Sequence, residues 1–147
     1  MPGDTRHFDE IDRLLNETVC GPRWLAEPDI AAAVAAALDY HADTLNHFKL
    51  HAWVVMPNHI HALASPLADP AALLQSLKGD TARQANHLLG RPGAPFWDRE
   101  HHEQWVRNRK EWNQVILRIE SDPVRAGLAR SPDEYPWSSA ARLLPAA

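Results

Sequence analysis

Two β-rich runs separated by only two residues constrain the fold of this chain more than any other feature. Leu50-His51-Ala52-Trp53-Val54-Val55-Met56 stops at Pro57-Asn58, and His59-Ile60-His61-Ala62-Leu63-Ala64 follows at once. Two strands around so short a break fold back on each other most simply as a hairpin. On a strand, residues i and i+2 project from the same face. His59 and His61 are therefore expected side by side, with Ile60 turned toward a core.

Helical signals flank this hairpin. Pro28 and Asp29 suit a first turn, and Ile30, Val34, Leu38 and Leu45 recur near helical spacing, which predicts a helix over 28–46. Asp69-Pro70 is a good helix start, and the segment to Leu89 carries Leu74, Leu77, Ala85 and Leu88 as its inward positions before Gly90 ends it. Residues 91–97 read as a loop. Asn108 with Glu111 three positions later resembles a capping box; it opens a helix with Trp112, Val115, Ile116 and Ile119 as its apolar stripe and Pro123 as its stop. Tyr135-Pro136-Trp137-Ser138-Ser139 reads as a packed surface turn.

Helices alternating with strands around one hairpin predict an α+β fold, with helices on one face of an antiparallel sheet. At 147 residues the chain suits one domain over 1–147, with 1–27 atypical. No strand is legible before Pro28, only a short helical pattern around 8–15. A sheet lacking that strand would have an exposed edge, which a second copy can cover as a homodimer.

No apolar run approaches the roughly 18 residues needed to cross a bilayer. Met1-Pro2-Gly3-Asp4 does not begin a signal peptide, and Cys20 is the sole cysteine. A cytoplasmic location is expected. The formal charge of −4 argues mildly against phosphate binding. It is unevenly spread, however: residues 1–65 hold 4 Lys/Arg against 9 Asp/Glu, and 66–147 hold 11 against 10. The stretch from Lys78 to Lys110 has 7 basic residues against 4 acidic ones.

The histidine pair carries the sharpest chemistry. Two adjacent imidazoles can chelate one divalent metal. The plain alternative is two surface histidines on an amphipathic strand. The wider string Ala52-Trp53-Val54-Val55-Met56-Pro57-Asn58-His59-Ile60-His61-Ala62-Leu63 resembles the histidine–hydrophobe–histidine (HUH) box of the REP-associated tyrosine transposases. The resemblance recurs in order at Gln75-Ser76-Leu77-Lys78, Phe96-Trp97-Asp98-Arg99, Asp122-Pro123-Val124-Arg125-Ala126-Gly127-Leu128 and Tyr135-Pro136-Trp137-Ser138-Ser139, spanning about residues 28–142.

That resemblance implies a ferredoxin-like domain binding single-stranded or stem-loop DNA and Mg²⁺ or Mn²⁺. His59 and His61 match the family's metal ligands. Asp122 falls where the family usually has an amide as third ligand, and a carboxylate oxygen also suits these ions. In the family a helix-borne tyrosine attacks a phosphodiester, beside a metal acting as Lewis acid and template. It lies four residues before the third ligand, one helical turn away. Here that position is Arg118, which cannot be a nucleophile. Arg118 is either a solvated helix residue or a phosphate contact.

The two tyrosines, Tyr40 and Tyr135, fall elsewhere. His101-His102 stands where relatives often have aromatics, and reads as exposed loop residues or as a group near the metal. Lys78, Arg83, Arg99, Arg107 and Arg109 are candidate DNA contacts, with Trp97 or Trp105 for base stacking; a solvated surface charge is the plain alternative for each arginine. Trp53 and Trp112 sit in apolar patterns that suit a core. By descent the reaction is DNA nicking and strand transfer, with tyrosine-dependent activity lost. The alternatives are a non-catalytic DNA-binding regulator and a metal-dependent DNA hydrolase in which water replaces the tyrosine.

Overall fold

The computed structural model describes the backbone of residues 13–20 and 23–142, and the side chains of 23–98 and 105–141. The hairpin forms where the sequence places it, as β2 (Phe48–Met56) and β3 (His59–Pro66). Its register pairs Met56 with His59, Val55 with Ile60 and Val54 with His61. A strand that the sequence reading missed, β1 (Arg13–Cys20), pairs antiparallel with β3 on one side. On its other side it pairs antiparallel with β4 (Trp97–Trp105). The sheet order is β2-β3-β1-β4. The strand expected to be absent is therefore present and central, and no edge is left by its loss for a second copy to cover. Of the short helical pattern at 8–15, residues 13–15 are strand and the rest lies outside the described residues.

Strand alternation divides the sheet into two faces. Trp53, Val55, Ile60 and Ala62 pack with Ile30, Val34 and Leu38 of α1 (Pro28–Asp39) and Leu77 and Ala85 of α2 (Pro70–Leu89). These are the crossover helices of a ferredoxin-like βαββαβ fold, and they share one face as expected. Ala52, Val54, Met56 and Leu63 point the other way, against Val115 and Ile119 of α3 (Arg109–Arg125). The third helix thus adds a layer to the opposite face, the face from which His61 projects.

The local signals act as read. Asp69 Oδ2 accepts from the Ala72 amide, and Gly90 closes α2 at φ 71°, in the left-handed region. Asn108 caps α3 by accepting from Glu111 N at 2.9 Å, while Glu111 reaches back to Arg107 N. Pro123 does not stop this helix; it sits buried in its last turn, which continues to Arg125. Leu88, expected inward, is half exposed. Helix α1 ends at Asp39, and a π turn over Tyr40–Thr44 carries the chain on to Asn46 at φ 54°.

The C-terminal signature is more than a surface turn, because it covers the edge of β2. Val55 N donates to Trp137 O at 2.8 Å, Tyr135 Oη donates to Val55 O at 2.7 Å, and Trp53 N donates to Ser139 Oγ at 3.0 Å. These bonds occupy the outer edge of β2 at Trp53 and Val55, where it could otherwise pair with another chain. Burial raises the Tyr135 phenol above its ordinary pKa.

A hydrogen-bonded histidine–carboxyl pair joins the π turn to α2. His41, 2% exposed, meets Asp80 with Nε2 2.9 Å from Oδ2, while its Nδ1 has no hydrogen-bond partner among the described residues. Burial pushes the Asp80 carboxyl up, but hydrogen bonds from His41 and Gln84 and the charges of His41 and Arg83 hold it below its ordinary value. A depressed carboxylate pKa adds stability at pH above the unfolded value of about 3.9, and that stability is lost as pH falls through the folded value. Urea unfolding across this range is expected to lose stability more steeply for the wild type than for Asp80→Asn. Equal slopes would show that Asp80 is not coupled to folding.

Candidate metal centre on the sheet face under helix α3

The site is assembled from one strand and one helix. Strand β3 presents His59 and His61, with ring centroids 5.3 Å apart. Helix α3 packs Val115 and Ile119 against the same sheet face, and Asp122, one turn beyond Ile119, arrives opposite His61. Asp122 Oδ2 lies 2.8 Å from His61 Nδ1, and His59 Nδ1 lies 2.8 Å from Asn58 Oδ1. A proton on His59 Nδ1 donates to Asn58 Oδ1 and leaves that ring's Nε2 lone pair for a ligand, while His61 Nδ1 and Asp122 Oδ2 face each other at the distance of neighbouring donors.

One donor atom from each of His59, His61 and Asp122 lies within 4.8 Å of the others, and all three residues are half-buried. Two imidazoles and a carboxylate, close together and partly shielded, fit a divalent cation. Among the described residues no other cluster of three such groups meets this spacing.

Asp122 is held by a second group that the sequence reading named only within a signature. Arg125 Nη2 donates to Asp122 Oδ1, and also to the Arg118 carbonyl at 2.9 Å. Burial pushes the Asp122 carboxyl up, but hydrogen bonds from His61 and Arg125 and their charges more than offset it, so it sits below the ordinary carboxylate range. The i,i+3 spacing of Asp122 and Arg125 was the available signal. Asn58, beside His59 in the hairpin turn, was missed in the same way.

Arg118 is exposed and lies one helical turn before Asp122. Tyr135 packs in the same cluster as Met56 and Ile119, and Tyr40 does not. Tyr40 begins the π turn beyond α1, on the other face of the sheet, and the Tyr135 hydroxyl is committed to Val55 O.

The candidate DNA contacts are dispersed rather than gathered here. Lys78 and Trp97 lie on the crossover-helix side, where they help line an open groove of about 440 Å³ with Gln75, Gly79 and Phe96. Lys78 Nζ donates to Asp98 O at 2.9 Å; burial lowers its pKa, against the opposing charge of Asp98. Trp97 Nε1 donates to Thr81 Oγ1 at 2.8 Å. Arg83 is exposed and 3.5 Å from Asp80. Arg107 and Arg109 stand at the start of α3, the opposite end from Asp122, with Arg109 5.9 Å from the Trp112 ring centre. Trp105 is 38% exposed. The side chains of Arg99, His101 and His102 lie outside the described residues. Trp53 is core, as expected, and Trp112 is half-buried against Val115 and Ile119.

A βαββαβ sheet with a histidine–hydrophobe–histidine pair on an inner strand, faced by a helix-borne carboxylate, is a ferredoxin-like domain carrying an HUH-like histidine pair. No protein-family model matches the chain. It is 26% identical over 92 residues to the REP-associated tyrosine transposase of Escherichia coli (strain K12), a match covering 63% of this chain and 54% of that protein. The match thus spans about half the length of that curated relative. The fold is also similar to the structure of a REP-associated tyrosine transposase bound to a REP hairpin, with TM-score 0.65 and 20% identity, over 91% of this chain and 79% of that one. The resemblance legible in the sequence is borne out: the chain is similar to REP-associated tyrosine transposases in sequence and in fold. No helix among the described residues is long and apolar enough to cross a membrane.

Proposed function

We propose that this chain is a single-domain, cytoplasmic protein that binds single-stranded or stem-loop DNA beside a divalent metal, Mg²⁺ or Mn²⁺, held by His59, His61 and Asp122. The observation that carries the reading is the convergence of these three donors at the junction of β3 and α3. The solved relative bound to a REP hairpin supports the choice of a stem-loop partner. Bound there, the metal would orient a phosphate and offset charge developing on it. Asn58 fixes the His59 ring, and α3 holds Asp122 opposite His61.

The inherited reaction is DNA nicking and strand transfer, which requires a nucleophile one turn before Asp122. Arg118 occupies that place, as a phosphate contact rather than a nucleophile. Tyrosine-dependent cleavage is therefore lost, and the chain acts as a DNA-binding protein on a transposase scaffold. The committed hydroxyl of Tyr135 and the remote position of Tyr40 favour this over an alternative tyrosine chemistry. Lys78, Arg83, Trp97, Arg99, Arg107 and Arg109 are proposed as DNA contacts, on more than one surface.

The test is a pool of fluorescent stem-loop oligonucleotides with Mn²⁺, read by anisotropy and by denaturing gel. Members of the pool should bind, more weakly as salt rises, with no denaturant-resistant adduct. A preference for linear duplex over every stem-loop would overturn the reading. An adduct lost in His61→Ala would show that another residue serves as nucleophile, and cleavage without an adduct would favour a hydrolase.

A further inference from the structure

Both oxygens of Asp122 are engaged, one by His61 and the other by Arg125. A metal arriving to use this carboxylate meets a resident cation. The two partners differ in freedom. The His61 side chain is 16% exposed, whereas that of Arg125, in the last turn of α3, is 51% exposed. The same guanidinium nitrogen serves Asp122 and the Arg118 carbonyl, so moving it outward releases both. Guanidinium groups also pair readily with phosphate, through two parallel N–H···O bonds.

Resting on the reading of His59, His61 and Asp122 as a divalent-metal site, we propose that Arg125 is a positioning residue that couples metal binding to DNA binding. Without DNA its guanidinium neutralises Asp122 and weakens the site for a cation. A phosphodiester placed beside the site draws the guanidinium away, and the freed carboxylate oxygen then joins the two imidazoles. Reciprocity requires that each ligand tighten the other by the same factor. A role in closing the helix C-terminus alone would affect stability but produce no such coupling.

The experiment titrates the full chain with Mn²⁺ alone, reading free Mn²⁺ by electron paramagnetic resonance. Arg125→Gln is expected to bind about fivefold tighter than wild type, a size set by a half-exposed ion pair, and Arg125→Lys to stay near wild type. The titration is repeated with a stem-loop oligonucleotide whose own Mn²⁺ uptake is subtracted. Wild type should then tighten toward the glutamine variant, while the variant changes little. Unchanged or weaker Mn²⁺ binding in Arg125→Gln, or the same response to DNA in both proteins, overturns the proposal. If Mn²⁺ binding does not depend on His61, the metal-site reading fails and takes the proposal with it. If it is lost in His61→Ala but unaltered in Arg125→Gln, only the proposal fails.

Discussion

Arg118→Tyr is expected to form a covalent, denaturant-resistant adduct with stem-loop DNA in the presence of Mn²⁺, where the wild-type chain forms none. Position 118 is exposed and sits four residues before Asp122 on a continuous helix, so a phenol there stands on the side of α3 that carries the third metal-site donor. Arginine stays protonated and offers no lone pair for attack on phosphorus. In other covalent catalysts, loss of the nucleophile costs roughly 10⁴- to 10⁶-fold in rate, so regaining one takes adduct formation from undetectable to readily measured. Tyrosine also removes a positive charge from the surface, which lowers DNA affinity slightly; the adduct must therefore be scored per bound DNA. The double variant with His61→Ala should lose it. If Arg118→Tyr binds DNA and metal yet forms no adduct, the scaffold has been rebuilt beyond the loss of one side chain.

His61→Ala should abolish the stabilisation of this protein by Mn²⁺. A ligand present at one hundred times its dissociation constant stabilises the folded state by about 2.7 kcal/mol, on the order of 10 °C in Tm for a domain of this size. His61 is central to the trio, because its ring stands beside His59 and contacts Asp122 directly. Its removal takes away one of two imidazoles and leaves Asp122 Oδ2 without the hydrogen bond that aims it. Loss of an orienting partner alone lowers metal affinity about 10- to 100-fold, and loss of a ligand should exceed that. Thermal unfolding with and without Mn²⁺ reads the effect. An equal Mn²⁺-induced shift in wild type and His61→Ala would place the metal somewhere else.

What was legible in the sequence was local. The hairpin around Pro57-Asn58 and the caps at Asp69 and Asn108 depend on residues a few positions apart, and they stand where they were read. Strands β1 and β4 were not legible. Arg13-Leu14-Leu15-Asn16-Glu17-Thr18-Val19-Cys20 breaks the two-residue alternation, and its pairing with β3 shifts register between Leu15 and Thr18. Trp97 through Trp105 is almost entirely polar between its tryptophans. The two pair with each other across the sheet, so each is a strand because of its neighbour rather than its own pattern.

The same division runs through the site. The sequence by itself determined that His59 and His61 share a face, because strand periodicity is a property of adjacent backbone. It also determined that Arg118 and Asp122 lie one helical turn apart. Only the tertiary structure decided that Asp122 meets His61 across 61 residues of chain, since that requires Val115 and Ile119 to seat α3 against Ala52, Val54 and Leu63. It alone showed Arg125 closing on the same carboxylate, and Lys78 and Trp97 turned to the opposite side of the sheet from the histidine pair. Periodicity reports which way a side chain leaves its own element; the partner it reaches is set by how the elements pack.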